Sequence, residues 1–432
     1  MNSMKNATSA QAFAGSLQYR ESASRHLANA VSSTPRAAQR PVPLAIASAR
    51  EAIVTDIDGN DYIDFTMGYG PLILGHSPAP VIERIKSELD KGLRTASVHT
   101  GEGRLAELIS QTVPCAEITS YVSSGTEAVQ LALRIARAVT GRTRIVKFRA
   151  NYHGWFDSIH VANNPGNDGP SSAGQDPQAA GNVTLLDWGD AAALERALGD
   201  EYAAVILEPM AINAGCFMPP AGFIQATRDL TKKHGAMLIF DEVISGYRLA
   251  LGGAQSLLGV TPDIAVLGKA LGAGAPISAV TGSRGAMAAL TDKRVLHRGT
   301  FNGNAISVGA AIACLEHLQR HQADIYPRMD AQAQAIARHF NEQAQALDLN
   351  LCANRIGSAV QLFCGARKME HIADLGKADK VKILDLTEAC VLNGLNPLPR
   401  GLMYLSAAHT DADIAAAKEA LSRALRDFKA RG

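Results

Sequence analysis

From about Gly75 to Ile312 the chain alternates short apolar runs with stretches of helical spacing, and this alternation narrows its fold more than any other feature. Ile145-Val146-Lys147-Phe148, Ala203-Ala204-Val205-Ile206-Leu207, Ala236-Met237-Leu238-Ile239-Phe240 and Ile264-Ala265-Val266-Leu267 have strand length. Short buried strands separated by helices predict an α/β fold, a mostly parallel sheet covered on both faces. Between 126 and 139, Ala128, Leu131, Ala132 and Ile135 share one helical face, and Gly141 follows as a natural cap. Upstream, two strand-like runs within 52–65 flank Asp58-Gly59-Asn60, which predicts a β-hairpin. Residues 163–181, rich in Gly, Pro, Ser and Asn, read as a long surface loop. Past about residue 320 the pattern turns to helices and fewer strands, with an amphipathic helix over 413–429. The expected division is 1–74 as an N-terminal segment with part of a small domain, 75–318 as a large domain, and 319–432 as the rest of the small one.

A chain of 432 residues is long enough for such a division. Its net charge of +1, with dispersed basic residues, gives no field for nucleic acid or an anionic membrane. The six cysteines are scattered without CxxC spacing, which suits a reduced compartment, and no metal site is assigned. Residues 1–16 lack the apolar core of a secretory signal and read as a frayed end. Every apolar run is broken by charge or glycine within about ten residues, too soon for a membrane span. A soluble cytoplasmic protein is expected.

The chemistry gathers at the predicted carboxyl ends of the strands, where open α/β sheets collect ligands. Asp241 follows the run ending at Phe240, and Lys269 follows the run ending at Leu267 after Gly268. A strand-end carboxylate paired with a strand-end lysine is the skeleton of a pyridoxal phosphate site. The amine forms a Schiff base with the cofactor aldehyde, and the carboxylate keeps the ring nitrogen protonated. Ser123-Ser124-Gly125-Thr126-Glu127 opens the predicted helix and is either a plain N-cap or a phosphate cradle. Tyr152 and His153 follow another strand; Tyr152 is either a core aromatic or a stacking partner for a planar ring. Glu208, before Pro209, is either an exposed loop charge or a pocket group, and Asn213 is a candidate hydrogen-bond partner for the cofactor's phenolic oxygen. Neither a Walker loop nor a dinucleotide-binding glycine motif follows the first strand, which leaves nucleotide binding remote.

Ser-Gly-Thr-Glu-Ala at 124–128, Tyr-His-Gly at 152–154, Glu-Pro at 208–209, Asp-Glu-Val-Ile-Ser-Gly-Tyr-Arg at 241–248, Leu-Gly-Lys at 267–269 and Gly-Thr-Phe-Asn-Gly-Asn at 299–304 occur in one order. With them the chain resembles class III, fold-type I pyridoxal phosphate aminotransferases. Within these it is similar to the branch of glutamate-1-semialdehyde aminomutases, β-phenylalanine aminotransferases and D-phenylglycine aminotransferases. The resemblance implies a seven-stranded, mostly parallel sheet in the large domain and a smaller α+β domain built from both termini. It also implies that Lys269 carries the cofactor and shuttles the proton, that Asp241 pairs with the ring nitrogen, and that Tyr152 and Val243 sandwich the ring. Ser124, Gly125 and Thr126 would bind the phosphate. Thr300 would reach the phosphate of a neighbouring subunit, so a homodimer with shared sites is expected. Arg36 falls where related enzymes hold a substrate carboxylate, Arg400 would be a second carboxylate anchor, and Tyr69 would line the pocket.

Aminomutases of this branch are expected to carry a glutamate where this chain has Gly401, inside Pro399-Arg400-Gly401. That departure favours a transaminase acting on a carboxylate-bearing donor, β-amino or D-configured, with 2-oxoglutarate or pyruvate as acceptor. A 1,2-aminomutase, an epimerase and a non-catalytic cofactor-binding protein are the alternatives.

Overall fold

The computed structural model describes residues 9–163 and 166–431. The chain divides into two compact units, Met1–Pro78 with Pro327–Gly432, and Ala79–Tyr326. In chain order the strands are β1 Ile46–Arg50, β2 Ile53–Asp56, β3 Asp61–Asp64, β4 Ile118–Val122, β5 Arg144–Phe148, β6 Val183–Leu186, β7 Tyr202–Leu207, β8 Met237–Glu242, β9 Ile264–Leu267, β10 Ser278–Gly282, β11 Leu351–Ile356, β12 Ala359–Cys364, β13 Leu395–Asn396 and β14 Leu402–Tyr404.

The unit Ala79–Tyr326 is built on a seven-stranded sheet in the order β4-β10-β9-β8-β7-β5-β6. Strands β9, β8, β7, β5 and β6 run parallel to one another, while β10 is antiparallel to both β9 and β4. The helix Gly125–Thr140 lays Ala128, Leu131, Ala132 and Ile135 against Ile145, Ile206, Ile239 and Val266. Each Leu, Ile or Val among them stabilises the fold by about 1.5–3 kcal/mol on burial, and each Ala methyl by about 1 kcal/mol or less. Ser124 caps the helix start, and Gly141, with φ +72°, closes its end in the left-handed conformation that the turn requires.

The other unit holds a four-stranded sheet, β1-β2-β3-β13, and a three-stranded antiparallel sheet, β11-β12-β14. The hairpin β2–β3 turns through Asp58-Gly59-Asn60, with the Asn60 and Asp58 N–H groups donating to Asp56 Oδ1. Strand β13 pairs parallel to β3, Leu395 with Ile63 and Asn396 with Asp64. Phe65, Phe340, Leu362, Leu386, Met403 and Leu421 lie in the core that joins these elements. The closing helix Asp411–Ala430 starts from a Thr410–Asp413 capping box. The carboxy-terminal part thus carries more strand than its helical spacing predicts.

The frayed amino terminus is corrected from residue 9 onward; residues 1–8 lie outside the described residues. Ser9–Ala12 and Ala14–Ala23 are helical, and Phe13 is buried against Val42, Val54, Tyr62 and Val391. Asp58 accepts from the Gly15 and Ser16 N–H groups and from the Ser16 hydroxyl. One aromatic anchor and one carboxylate are enough to pin a segment whose composition looks unstructured. Among the described residues, no helix is long and apolar enough to cross a membrane.

Candidate active site

Parallel pairing brings the motif residues of the larger sheet to one edge. Asp241 pairs with Val266 and Glu242 with Leu267, so Lys269, two residues past Leu267, emerges beside Asp241. On the other side, Leu207 pairs with Phe240, which sets Glu208 next to Asp241. Lys147 pairs with Ile206, so the loop after β5, carrying Tyr152 and His153, leaves from the same edge. Lys269 adopts φ +45°, a left-handed conformation that non-glycine residues resist. Such strain persists where the surroundings over-determine it, as they do at functional sites.

Burial defines the electrostatics. Asp241 Oδ2 and His153 Nδ1 are 2.7 Å apart, and the Val243 N–H donates to Asp241 Oδ1 at 3.1 Å. Burial holds His153 below the usual imidazole range, while Asp241 pulls it back up. His153 Nε2 is buried and has no hydrogen-bond partner among the described residues. Glu208 accepts the N–H of Tyr152 at 2.9 Å and that of Asn213 at 3.3 Å. Burial and the neighbouring Asp241 push the Glu208 carboxyl up to about 7, and the positive Lys269 acts against this.

Above this edge the helix Gly125–Thr140 presents its N-terminus. The Ser124 hydroxyl is committed to the cap: it donates to Glu127 Oε2 at 2.9 Å and accepts from the Glu127 N–H at 3.3 Å. An anion there meets the first-turn N–H groups of Gly125 and Thr126 and the helix dipole. A Cβ on Gly125 would lie 3.2 Å from Val243 Cγ2, and one on Gly154 would lie 3.0 Å from Thr126 Cα. These close approaches leave little room for side chains around the helix start, and Tyr152, two residues before Gly154, is 41% exposed. A phosphate-bearing heteroaromatic aldehyde fits this set: an amine, a carboxylate for a ring nitrogen, an aromatic ring and a helix start for the phosphate.

The remaining candidates divide in two. Thr300 is exposed, beside the exposed Phe301 and Leu296. Arg36, Tyr69 and Arg400 all belong to the other unit, where they meet. Burial raises the Tyr69 phenol above its ordinary value, and the positive charges of Arg36 and Arg400 both act to lower it. Gly401 has φ +85°, and a Cβ there would stand 2.7 Å from the Leu362 carbonyl oxygen.

Lys147 was not singled out by sequence reasoning. Wholly buried, its Nζ donates to the carbonyls of Asn151 at 2.8 Å and Val161 at 2.7 Å, and to Asn163 Oδ1 at 3.2 Å. It ties together the ends of the loop that carries Tyr152 and His153. A lysine in the middle of an apolar strand run was the available signal.

A lysine and two buried carboxylates under a helix start make a site for amine chemistry on an anionic aldehyde cofactor. The chain matches the Aminotransferase class-III family over residues 34–358 and belongs to that family. Glutamate-1-semialdehyde 2,1-aminomutase of Rhodopirellula baltica is 38% identical over 391 residues, covering 88% of this chain and 89% of its own. An omega-transaminase from Sphaerobacter thermophilus has a TM-score of 0.89 and 30% identity, covering 96% of this chain and 98% of its own. A β-phenylalanine aminotransferase from Variovorax paradoxus has a TM-score of 0.86 and 30% identity, covering 98% of this chain and 96% of its own.

Proposed function

We propose that this protein is an aminotransferase that takes nitrogen from a carboxylate-bearing donor, β-amino or D-configured, and passes it to a keto acid such as 2-oxoglutarate or pyruvate. The cofactor is pyridoxal phosphate, which supplies when bound an aldehyde for amines and a ring that withdraws electrons. Lys269 Nζ holds the proton removed from the substrate carbon and returns it. Asp241, fixed by His153 Nδ1 and the Val243 N–H, keeps a proton on the ring nitrogen. Glu208 positions Tyr152 and Asn213 through their N–H groups. Gly125 and Thr126 bind the phosphate through the helix start.

The observation that carries the transaminase reading is one cavity lined by Arg36, Tyr69 and residues 396–399, directly before Arg400. Planar guanidiniums bind carboxylates in bidentate fashion, and two of them suit both a carboxylate donor and a dicarboxylate acceptor. The lack of space for any side chain at position 401 supports the same reading. The names of curated relatives favour a second reading, the 1,2-aminomutase, more than the first: the R. baltica relative, at 38% identity, bears that name. The exposed Thr300, Phe301 and Leu296 support a homodimer. The six cysteines, all free and buried, support a reducing cytoplasmic setting.

A screen of β-amino and D-amino donors with 2-oxoglutarate or pyruvate, followed by cofactor absorbance, tests the proposal. Ping-pong turnover with an external keto acid is expected. Conversion of glutamate-1-semialdehyde with no keto acid present, and none with any donor–acceptor pair, would establish the mutase instead.

A further inference from the structure

Arg36, Tyr69 and Arg400 come from stretches far apart in the chain, and one series of hydrogen bonds, Gln39 to Asn396 to Asp64 to the Thr66 and Met67 N–H groups, joins residues that lie within five positions of each. Gln39 stands just past the turn Thr34–Ala38, which carries Arg36, and its Nε2 donates to Asn396 Oδ1 at 2.8 Å. Asn396, four residues before Arg400, donates from Nδ2 to Asp64 Oδ1 at 2.9 Å. Asp64 in turn accepts the N–H groups of Thr66 at 2.9 Å and Met67 at 3.1 Å, at the start of the turn Met67–Tyr69. His76 Nε2 lies 2.8 Å from Asp64 Oδ2. The orientation of the Asn396 amide follows from chemistry: a carboxylate only accepts, so the NH₂ group must face Asp64.

The middle of this relay is dry, with Asp64 2% and Asn396 8% exposed. Its far end is a strained turn: Met67, Gly68, Tyr69 and Gly70 all have positive φ, from +43° to +101°. Such a turn holds its shape only where its surroundings dictate it. Here Asp64 grips the leading N–H groups, and the Tyr404 ring packs where a Cβ on Gly70 would come within 3.2 Å. Arg36, Gln39, Tyr69 and Asn396 line a common cavity of about 590 Å³.

We propose that Asn396 is a positioning residue for the substrate-carboxylate site. Its amide joins Gln39 to Asp64 and so sets the spacing of Arg36, Tyr69 and Arg400. The inference rests on the reading of those two arginines as carboxylate anchors. A purely structural amide would affect the amount of folded enzyme; a positioning amide affects how tightly carboxylates are held.

The test uses the holoenzyme. Asn396→Asp keeps the volume and the acceptor for Gln39 but sets a second carboxylate against Asp64. Gln39→Leu cuts the relay at its half-buried end and carries the test if Asn396→Asp folds poorly. Each is expected to raise KM for carboxylate substrates about tenfold, with kcat within about twofold and the cofactor's visible band unchanged. In an Arg36→Ala background, Gln39→Leu should add nothing, because both act on one contact. Unchanged KM in the relay variants, a fall in kcat alone, or full additivity with Arg36→Ala overturns the inference while leaving the anchors in place. Unchanged KM in Arg36→Ala and Arg400→Ala overturns the anchors, and the inference with them.

Discussion

In the unit Ala79–Tyr326, Glu208, Asp241 and Lys269 stand at the ends of three neighbouring parallel strands. In the other unit, Arg36, Tyr69 and Arg400 stand on turns and loops from distant parts of the chain. The first group inherits its geometry from a backbone ladder, and one register fixes all three positions. The second group depends on side-chain bonds, Gln39 to Asn396 and Asn396 to Asp64, that span more than 300 residues of sequence. Burial differs as well: Glu208 and Asp241 are nearly enclosed, whereas Arg36 and Arg400 are exposed. A cofactor that stays needs a dry and rigid seat. On the proposed reading, a substrate that comes and goes is met by exposed charges on turns and loops.

The sharpest test of the strand-end region is Lys269→Ala. Turnover should fall by roughly 10³-fold or more, measured by steady-state assay, and the imine character of the visible band should vanish. An unchanged band would place the cofactor linkage elsewhere. Next in size is Gly154→Ala. With φ +100° and Thr126 close by, a methyl group forces backbone against the helix start, at a cost of about 1–3 kcal/mol. Thermal melting should register the loss, with weaker cofactor binding in a titration. If both are unchanged, the cradle has more slack than its contacts indicate.

A third test concerns Lys147. Burial lowers its ammonium to about 7, whereas in an unfolded chain it titrates near ~10.4. Between these values the unfolded chain binds a proton that the folded one has released, so stability rises with pH across that window. It is fully present above the unfolded value and lost as pH falls towards about 7. The cofactor-free protein should therefore show a rising contribution to Tm between pH 7 and about 10 that Lys147→Met lacks. Parallel Tm profiles for the two proteins would mean that the ammonium stays charged in its nest of carbonyls.

Legibility followed the regularity of the pattern along the chain. The four apolar runs became β5, β7, β8 and β9 because strands buried on both faces leave unbroken apolar stretches. Strands β4 and β10 escaped notice because polar residues interrupt them; Thr119 and Thr281 are hydrogen-bonded to each other across the pair at 2.9 Å. The helices flanking Phe13 escaped because a single aromatic anchor has no period. Lys147 escaped because a charged residue in a strand reads as an interruption until its four oxygen partners are seen.

The sequence by itself determined the layered α/β architecture, the residue types at the strand ends and so the kind of chemistry, because periodicity and motif order are local properties of the chain. Only the tertiary structure decided that Asp241 leans on a buried histidine, that Glu208 lies close enough to Asp241 to be pushed up to about 7, and that two arginines act on one tyrosine. Burial and hydrogen bonds between remote residues set those relations, and neither leaves a regular trace along a chain.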